Sequence, residues 1–217
     1  MKVKWLGHAT FLVTSDAGVK IITDPYVTGA FGLNYGEIKE SADIVTVSHD
    51  HADHANVAAI QGNPEVVNEV APVEIKGIKL SGVSTHHDDA GGSKRGPNII
   101  FCFEVDGIVV CHLGDLGHPL GDKEAAEAGK VDILLVPVGG NFTIDAKIAT
   151  DVCKLLAPRV VIPMHYQNGR CPDFPVAGVD EFLEGKEGVS RPDASEAEFK
   201  QGELPVTRQV LVLKPAL

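Results

Sequence analysis

Short apolar runs with strand character recur along this chain, each closed by Gly, Pro, Asn or Asp, and that rhythm leaves few architectures open. They fall at 2–6, 11–14, 19–23, 44–47, 73–83 (interrupted at Gly77), 99–105, 108–113, 133–138, 160–163 and 209–213. Roughly ten strands are too many for one small open sheet, so two stacked sheets are expected. Helical periodicity is clearest over 146–157, where Ile148, Val152, Leu155 and Leu156 share a face, Asp145 offers an N-cap and Pro158 stops the helix. Weaker helical patterns lie at 57–61, 123–128 and 179–183, and helices spaced between strands are expected on the outer faces of the sheets. With 217 residues, 44% of them hydrophobic, the chain can bury a full core as a single domain over 1–217. The stretch 184–203, rich in Glu, Gly, Lys and Ser, reads as a solvated connection before the last strand.

One residue beyond the run 44–47 comes His49-Asp50-His51-Ala52-Asp53-His54. Imidazole nitrogen and carboxylate oxygen suit zinc, manganese and iron. On an extended backbone His49, His51 and Asp53 would share one side while Asp53 and His54 diverge, so one loop could serve two ions. More donors are then needed, and other strand ends supply them. The run ending Val83-Ser84-Thr85 leads to His86-His87, Val110-Cys111-His112-Leu113-Gly114 leads to Asp115, and Ile162-Pro163-Met164 leads to His165. Such strand ends are where sheet proteins commonly carry their sites.

Lys and Arg total 19 against 30 Asp and Glu, a net charge of −11, which argues against a bulk grip on nucleic acid. No apolar stretch approaches the ~20 residues that span a bilayer, and the N-terminus enters strand-like sequence directly, so a cytoplasmic protein without integral membrane association is expected. The four cysteines form no CxxC pair. Asp106-Gly107 is a two-residue hairpin signal that sets 105 opposite 108 and Cys102 opposite Cys111, read as two free small hydrophobes. Oligomerisation is compatible with the sequence.

These landmarks, in this order, resemble the metallo-β-lactamase-fold hydrolase superfamily: Asp24 in Ile21-Ile22-Thr23-Asp24-Pro25, HxHxDH at 49–54, a histidine at 86 or 87, Gly114-Asp115, and His165. Trp5-Leu6-Gly7-His8-Ala9-Thr10 and Met164-His165-Tyr166 look like its small, lightly decorated branch, related to ascorbate 6-phosphate lactonase and N-acylphosphatidylethanolamine phospholipase D. The resemblance implies an α/β (α+β) fold, a four-layer αββα sandwich of two mixed β-sheets with helices on the outer faces. It implies a first metal site at His49, His51 and His87, with His86 as the alternative, and a second at Asp53, His54 and His165. Asp115 would bridge them, and Asp53 and Asp115 count as catalytic in that sense. Asp24 would hold a ligand histidine by its other ring nitrogen, or else turn the chain before Pro25. Asp50 would point away from the metals.

Two divalent cations about 3.5–4 Å apart could share a hydroxide and polarise a substrate oxygen, giving hydrolysis at carbonyl or phosphorus. Position 51 is His where di-iron flavoproteins of the superfamily carry Glu, which favours zinc while manganese and iron remain open. A small ester, lactone or phosphodiester is the expected substrate. The competing class is a metal-binding or regulatory module with the same fold and no turnover. His8 and His118 are candidate proton donors to the leaving group, each with the alternative of a histidine bracing the site. For substrate binding the sequence offers Tyr26, Phe31 and Tyr35 in a Gly-rich loop able to close over an apolar group. It also offers Arg95 for a phosphate or carboxylate, and Asn141 as a polar contact.

Overall fold

Adjacent apolar pairs along the first strands (Trp5 and Leu6, Phe11 and Leu12, Ile21 and Ile22, Ile44 and Val45) leave no face of the first sheet polar, so both faces must be covered. The computed structural model, which describes residues 1–217, resolves this as two mixed sheets in a sandwich. The first begins with β1 (Lys2–Gly7), β2 (Thr10–Thr14), β3 (Lys20–Thr23), β4 (Ile44–Thr46) and β5 (Glu65–Val67). The second takes β6 (Val73–Ile75), β7 (Ile78–His86), β8 (Pro97–Val105), β9 (Ile108–His112), β10 (Ile133–Pro137) and β11 (Val160–Met164), and then β12 (Val189–Ser190). β13 (Glu196–Glu198) returns to the first sheet and β14 (Gln209–Leu211) to the second. Strand orders are 13-1-2-3-4-5 and 12-14-11-10-9-8-7-6. β3, β4 and β5 run parallel, as do β9, β10, β11, β14 and β12.

Helices α1 (Asp122–Ala128) and α2 (Ala146–Leu156) pack on β7 and β10, and α3 (Asp180–Leu183) on α2. Asp145 caps α2 by accepting the Ile148 N–H at 2.8 Å. On the first sheet the cover is irregular chain: Tyr26, Leu33, Tyr35 and Ile38 cluster with Leu6, Leu12, Ile22 and Val45. The hairpin at Asp106-Gly107 pairs Val105 with Ile108 and Cys102 with Cys111. All four cysteines are free and buried. No helix is long and apolar enough to cross a membrane.

One expectation fails in this region. Residues 184–203 are not simply a solvated connection, because β12 extends the second sheet beside β14 and β13 pairs antiparallel with β1, setting Lys2 opposite Glu198 and Lys4 opposite Glu196. An edge strand buries little side chain, so Glu-Ala-Glu serves there. Its charges also discourage pairing with another chain.

Candidate metal centre

The ligand-type residues are delivered by the loops after β3, β4, β7, β9 and β11. Several leave their strands through left-handed backbone: Asp24 at φ 38°, Gly114 at 53° and His165 at 51°. Such conformations in non-glycine residues cost energy and concentrate at functional sites. At position 114 only glycine fits, because a Cβ would stand 2.4 Å from Asn98 Oδ1 and 2.6 Å from Ser48 Cβ.

His49, His51 and His87 each present one ligand atom within 4.8 Å of the others, and so do Asp53, His54, His165 and His8. Asp115 stands between the two groups. Its Oδ2 lies 3.9 Å from His49 Nε2 and 3.3 Å from His87 Nε2 on one side, and 3.2 Å from His54 Nε2 and 3.4 Å from His165 Nε2 on the other. Two ligands about 2.0–2.1 Å from a shared tetrahedral ion stand roughly 3.4 Å apart, so most of these separations match edges of a coordination shell. Of the pair at 86–87, His87 is buried in the group. His86 is exposed, and its N–H donates to His118 Nε2.

The surrounding hydrogen bonds dictate ring tautomers. Asp24, fully buried, accepts the Ser48 N–H on Oδ1 (2.8 Å), and on Oδ2 it accepts the Ser48 Oγ–H (2.5 Å) and the His54 Nδ1–H (2.9 Å). With its proton on Asp24, Ser48 Oγ accepts from His49 Nδ1 at 2.9 Å. In the neutral rings both Nε2 atoms are therefore left as lone pairs, and both are buried without a hydrogen-bond partner, as is Asp115 Oδ1. Lone pairs converging on a carboxylate repel unless a cation stands among them. The residues fit divalent metal.

Electrostatics agree. Burial first, then the neighbouring His54, lowers His49 to about 3, and burial lowers His8 to about 4. Both are neutral imidazoles. His54 goes the other way: despite desolvation, the charge of Asp115, 3.2 Å from its Nε2, and its hydrogen bond to Asp24 raise it well above the ordinary value. Burial would raise Asp115, but the charges of His165 and His54 hold it well below the usual carboxylate range. Without metal a proton takes the place of a cation.

A cavity of about 500 Å³ opens on this cluster, walled by Phe31, Arg95, Phe142, Phe174 and Pro175. Phe31 and Arg95 were expected there. The other expected contacts are elsewhere. Tyr26 and Tyr35 are buried in the cover of the first sheet, their rings 5.4 Å apart. Gly7 lacks the Cβ that would stand 2.5 Å from the Tyr35 ring. Asn141 points away, its Nδ2 donating to Pro175 O at 2.9 Å, and the wall residue is its neighbour Phe142.

Neither candidate proton donor reaches the cavity. His8 lies behind Asp53, donating from Nε2 to Oδ2 at 3.2 Å with its ring 4.3 Å from that of His165. In His118, Nδ1 donates to Pro119 O at 2.9 Å and Nε2 accepts from His86, so both ring nitrogens are engaged outside the cavity. Asp50 is exposed.

Three supporting residues escaped the sequence reading. Ser48 relays Asp24 to His49. Asn98 Oδ1 accepts the Asp115 N–H at 2.9 Å, while its Nδ2 donates to Thr85 Oγ1 and Leu113 O. His112 donates from Nε2 to Ala9 O at 2.8 Å and accepts the Gly114 N–H on Nδ1, tying the two sheets beneath the site. Only their place, beside a candidate ligand (Ser48) or at the end of a strand (Asn98, His112), could have signalled them.

Comparison with known proteins agrees with the geometry. A family model described as "Beta-lactamase superfamily domain" matches residues 2–165. A UPF0173 metal-dependent hydrolase of Carboxydothermus hydrogenoformans is 34% identical over 207 residues, spanning 83% of this chain and 88% of that protein. A Thermotoga maritima structure, assigned to the Zn-dependent hydrolases of the metallo-β-lactamase superfamily, is 38% identical. It superposes at TM-score 0.81 over 98% of this chain and 97% of its own. A metallo-hydrolase of Ignicoccus hospitalis, 24% identical and matched at TM-score 0.60 over 83% of this chain and 88% of its own, shares the fold. The chain belongs to the metal-dependent hydrolases of the metallo-β-lactamase superfamily.

Proposed function

We propose that the chain hydrolyses a small ester, lactone or phosphodiester at a dinuclear centre. His49, His51 and His87 would hold one divalent ion and Asp53, His54 and His165 the other, with Asp115 shared between them. The observation that carries this reading is Asp115 Oδ2, set within 3.9 Å of a ring nitrogen from two histidines in each group. The nitrogen-rich donor set favours zinc, with manganese and iron admissible.

Divalent metal held by these residues would supply Lewis-acid chemistry, activating water and polarising a carbonyl or phosphoryl oxygen. The chain's own residues do the rest. Asp24 and Ser48 keep the ligand lone pairs of His54 and His49 aimed inward. Asn98 fixes the backbone of Asp115. His8 holds Asp53 Oδ2 and thereby orients its carboxylate. Phe142, Phe174 and Pro175 exclude water from one side of the cavity and seat the substrate's apolar part.

Stepwise reconstitution with Zn²⁺, Mn²⁺ or Fe²⁺ tests the proposal. Bound ions are counted by mass spectrometry while a panel of esters, lactones and phosphodiesters is assayed. Turnover should climb with the second equivalent and collapse in Asp115→Asn. Protein loaded with two ions that turns over nothing above the metal-free background would defeat it, and so would full activity with one ion.

A further inference from the structure

In a chain of net charge −11, Arg95 stands half-buried in the wall of the metal cavity without a counter-charge. Its backbone N–H donates to Asp88, but its guanidinium meets no carboxylate and lies over the Phe142 ring at 5.5 Å. The neighbouring cation differs: Lys94 Nζ pairs with Asp89 at 2.7 Å.

The loop that presents Arg95 is built. The buried Asp88 carboxylate accepts four backbone N–H groups, from Ala90, Gly92, Lys94 and Arg95, at 2.7–2.9 Å. His87 N–H closes the loop on Gly96 O at 3.0 Å. Gly117 packs against the His87–Asp88 backbone so closely that a Cβ there would stand 2.3 Å from it. The same loop therefore carries a metal ligand, His87, and a cation facing the same cavity.

A guanidinium with one face on an aromatic ring keeps its N–H edge free for a bidentate partner, and a partly desolvated cation is most favourable when an anion occupies that edge. Phe142 and Phe174, 5.5 Å apart, continue the apolar wall, and Phe31, 65% exposed, stands at the rim. We propose that Arg95 anchors a second, non-reacting anionic group, carboxylate or phosphate, on a substrate whose body is apolar or aromatic. This rests on the hydrolase reading of the site and narrows its substrate class.

The test uses the zinc-loaded protein and three esters: phenyl acetate, 4-acetoxybenzoate and 4-acetoxyphenyl phosphate. The readout is the ratio of kcat/KM for each charged ester to that for phenyl acetate, which cancels any effect on turnover common to all. Arg95→Gln should lower one or both ratios about tenfold to a hundredfold, mostly through KM, the size expected for losing charge-assisted hydrogen bonds. Whichever ratio falls identifies carboxylate or phosphate. Arg95→Lys should restore part of it, and Lys94→Gln should leave the ratios as in wild type. Unchanged ratios in Arg95→Gln would overturn the proposal. If none of the three is turned over at full metal occupancy, the hydrolysis reading stands or falls separately on the wider panel of esters, lactones and phosphodiesters. Calorimetric binding of benzoate and phenyl phosphate then decides the role of Arg95: weaker binding in Arg95→Gln supports it and equal binding refutes it.

Discussion

Asp24→Asn replaces one carboxylate oxygen by NH₂ and so separates a ligand-orienting role from a turn-forming one. Asp24 Oδ1 accepts the Ser48 N–H, and Oδ2 accepts from Ser48 Oγ and His54 Nδ1. If the amide oxygen stays on the Ser48 N–H, the NH₂ faces His54 Nδ1, which can accept it only when its proton moves to Nε2. That proton then points where the ligand lone pair is needed. The flipped amide instead sets NH₂ against the buried Ser48 N–H, an unsatisfied donor costing about 1–3 kcal/mol. Loss of a group that orients a metal ligand lowers metal affinity about 10–100-fold, or about 1.4–2.7 kcal/mol at 1.36 kcal/mol per decade. Asp24→Asn should therefore weaken metal binding by that amount through His54, with a further loss at His49 through Ser48. Ser48→Ala breaks only the relay and should cost about tenfold or less. Competition against a chelator of known affinity, with bound metal counted and the fold followed by circular dichroism, measures both. If folded Asp24→Asn binds metal within about twofold of wild type, Asp24 does not set the His54 tautomer.

Metal binding should release protons. His54 is raised in the metal-free protein chiefly by Asp115, against desolvation, so it carries a proton at neutral pH that an ion must displace, whereas His49, lowered to about 3, carries none. Apparent affinity should rise with pH until the folded His54 value is passed. Calorimetry in buffers of different ionisation heat should show uptake by the buffer, and zero uptake near pH 7 would contradict it. Chelation should lower the melting temperature, since free metal at a hundred times its Kd contributes about 2.7 kcal/mol per site. His8→Phe should weaken metal binding about tenfold by freeing Asp53. His118→Ala should leave metal content and turnover within about twofold of wild type, because its bonds lie outside the cavity. Comparable losses in the two variants would reinstate His118. Asn98→Ala orphans the Asp115 N–H and should cost about 1–3 kcal/mol of stability, read by denaturant unfolding.

The candidate metal ligands are legible in the sequence because a His or Asp at the end of a buried apolar strand is anomalous, and few side chains bind metal. His87 over His86 follows from the resemblance alone, with His86 left as the alternative: adjacent residues on a strand end face opposite ways, and the register of β7 on β8 selects between them. The loop at 26–35 misled for a related reason. Aromatics among glycines resemble a mobile lid, yet the sequence already held the opposing signal in the adjacent apolar pairs of β1 to β4, which demand a cover on the sheet's second face. Tyr26 and Tyr35 bury their rings in meeting that demand. Asn141 and Phe142 show where local reading stops. The left-handed φ of 59° at Asn141 and its bond to Pro175, 34 residues away, turn Phe142 into the cavity, and no neighbouring residue announces that contact. Ligand chemistry is set by residue type at strand ends. The cavity wall is assembled from loops that meet only after both sheets have formed, so contacts such as Arg95 on Phe142, on which the proposed specificity rests, are ones that sequence spacing cannot express.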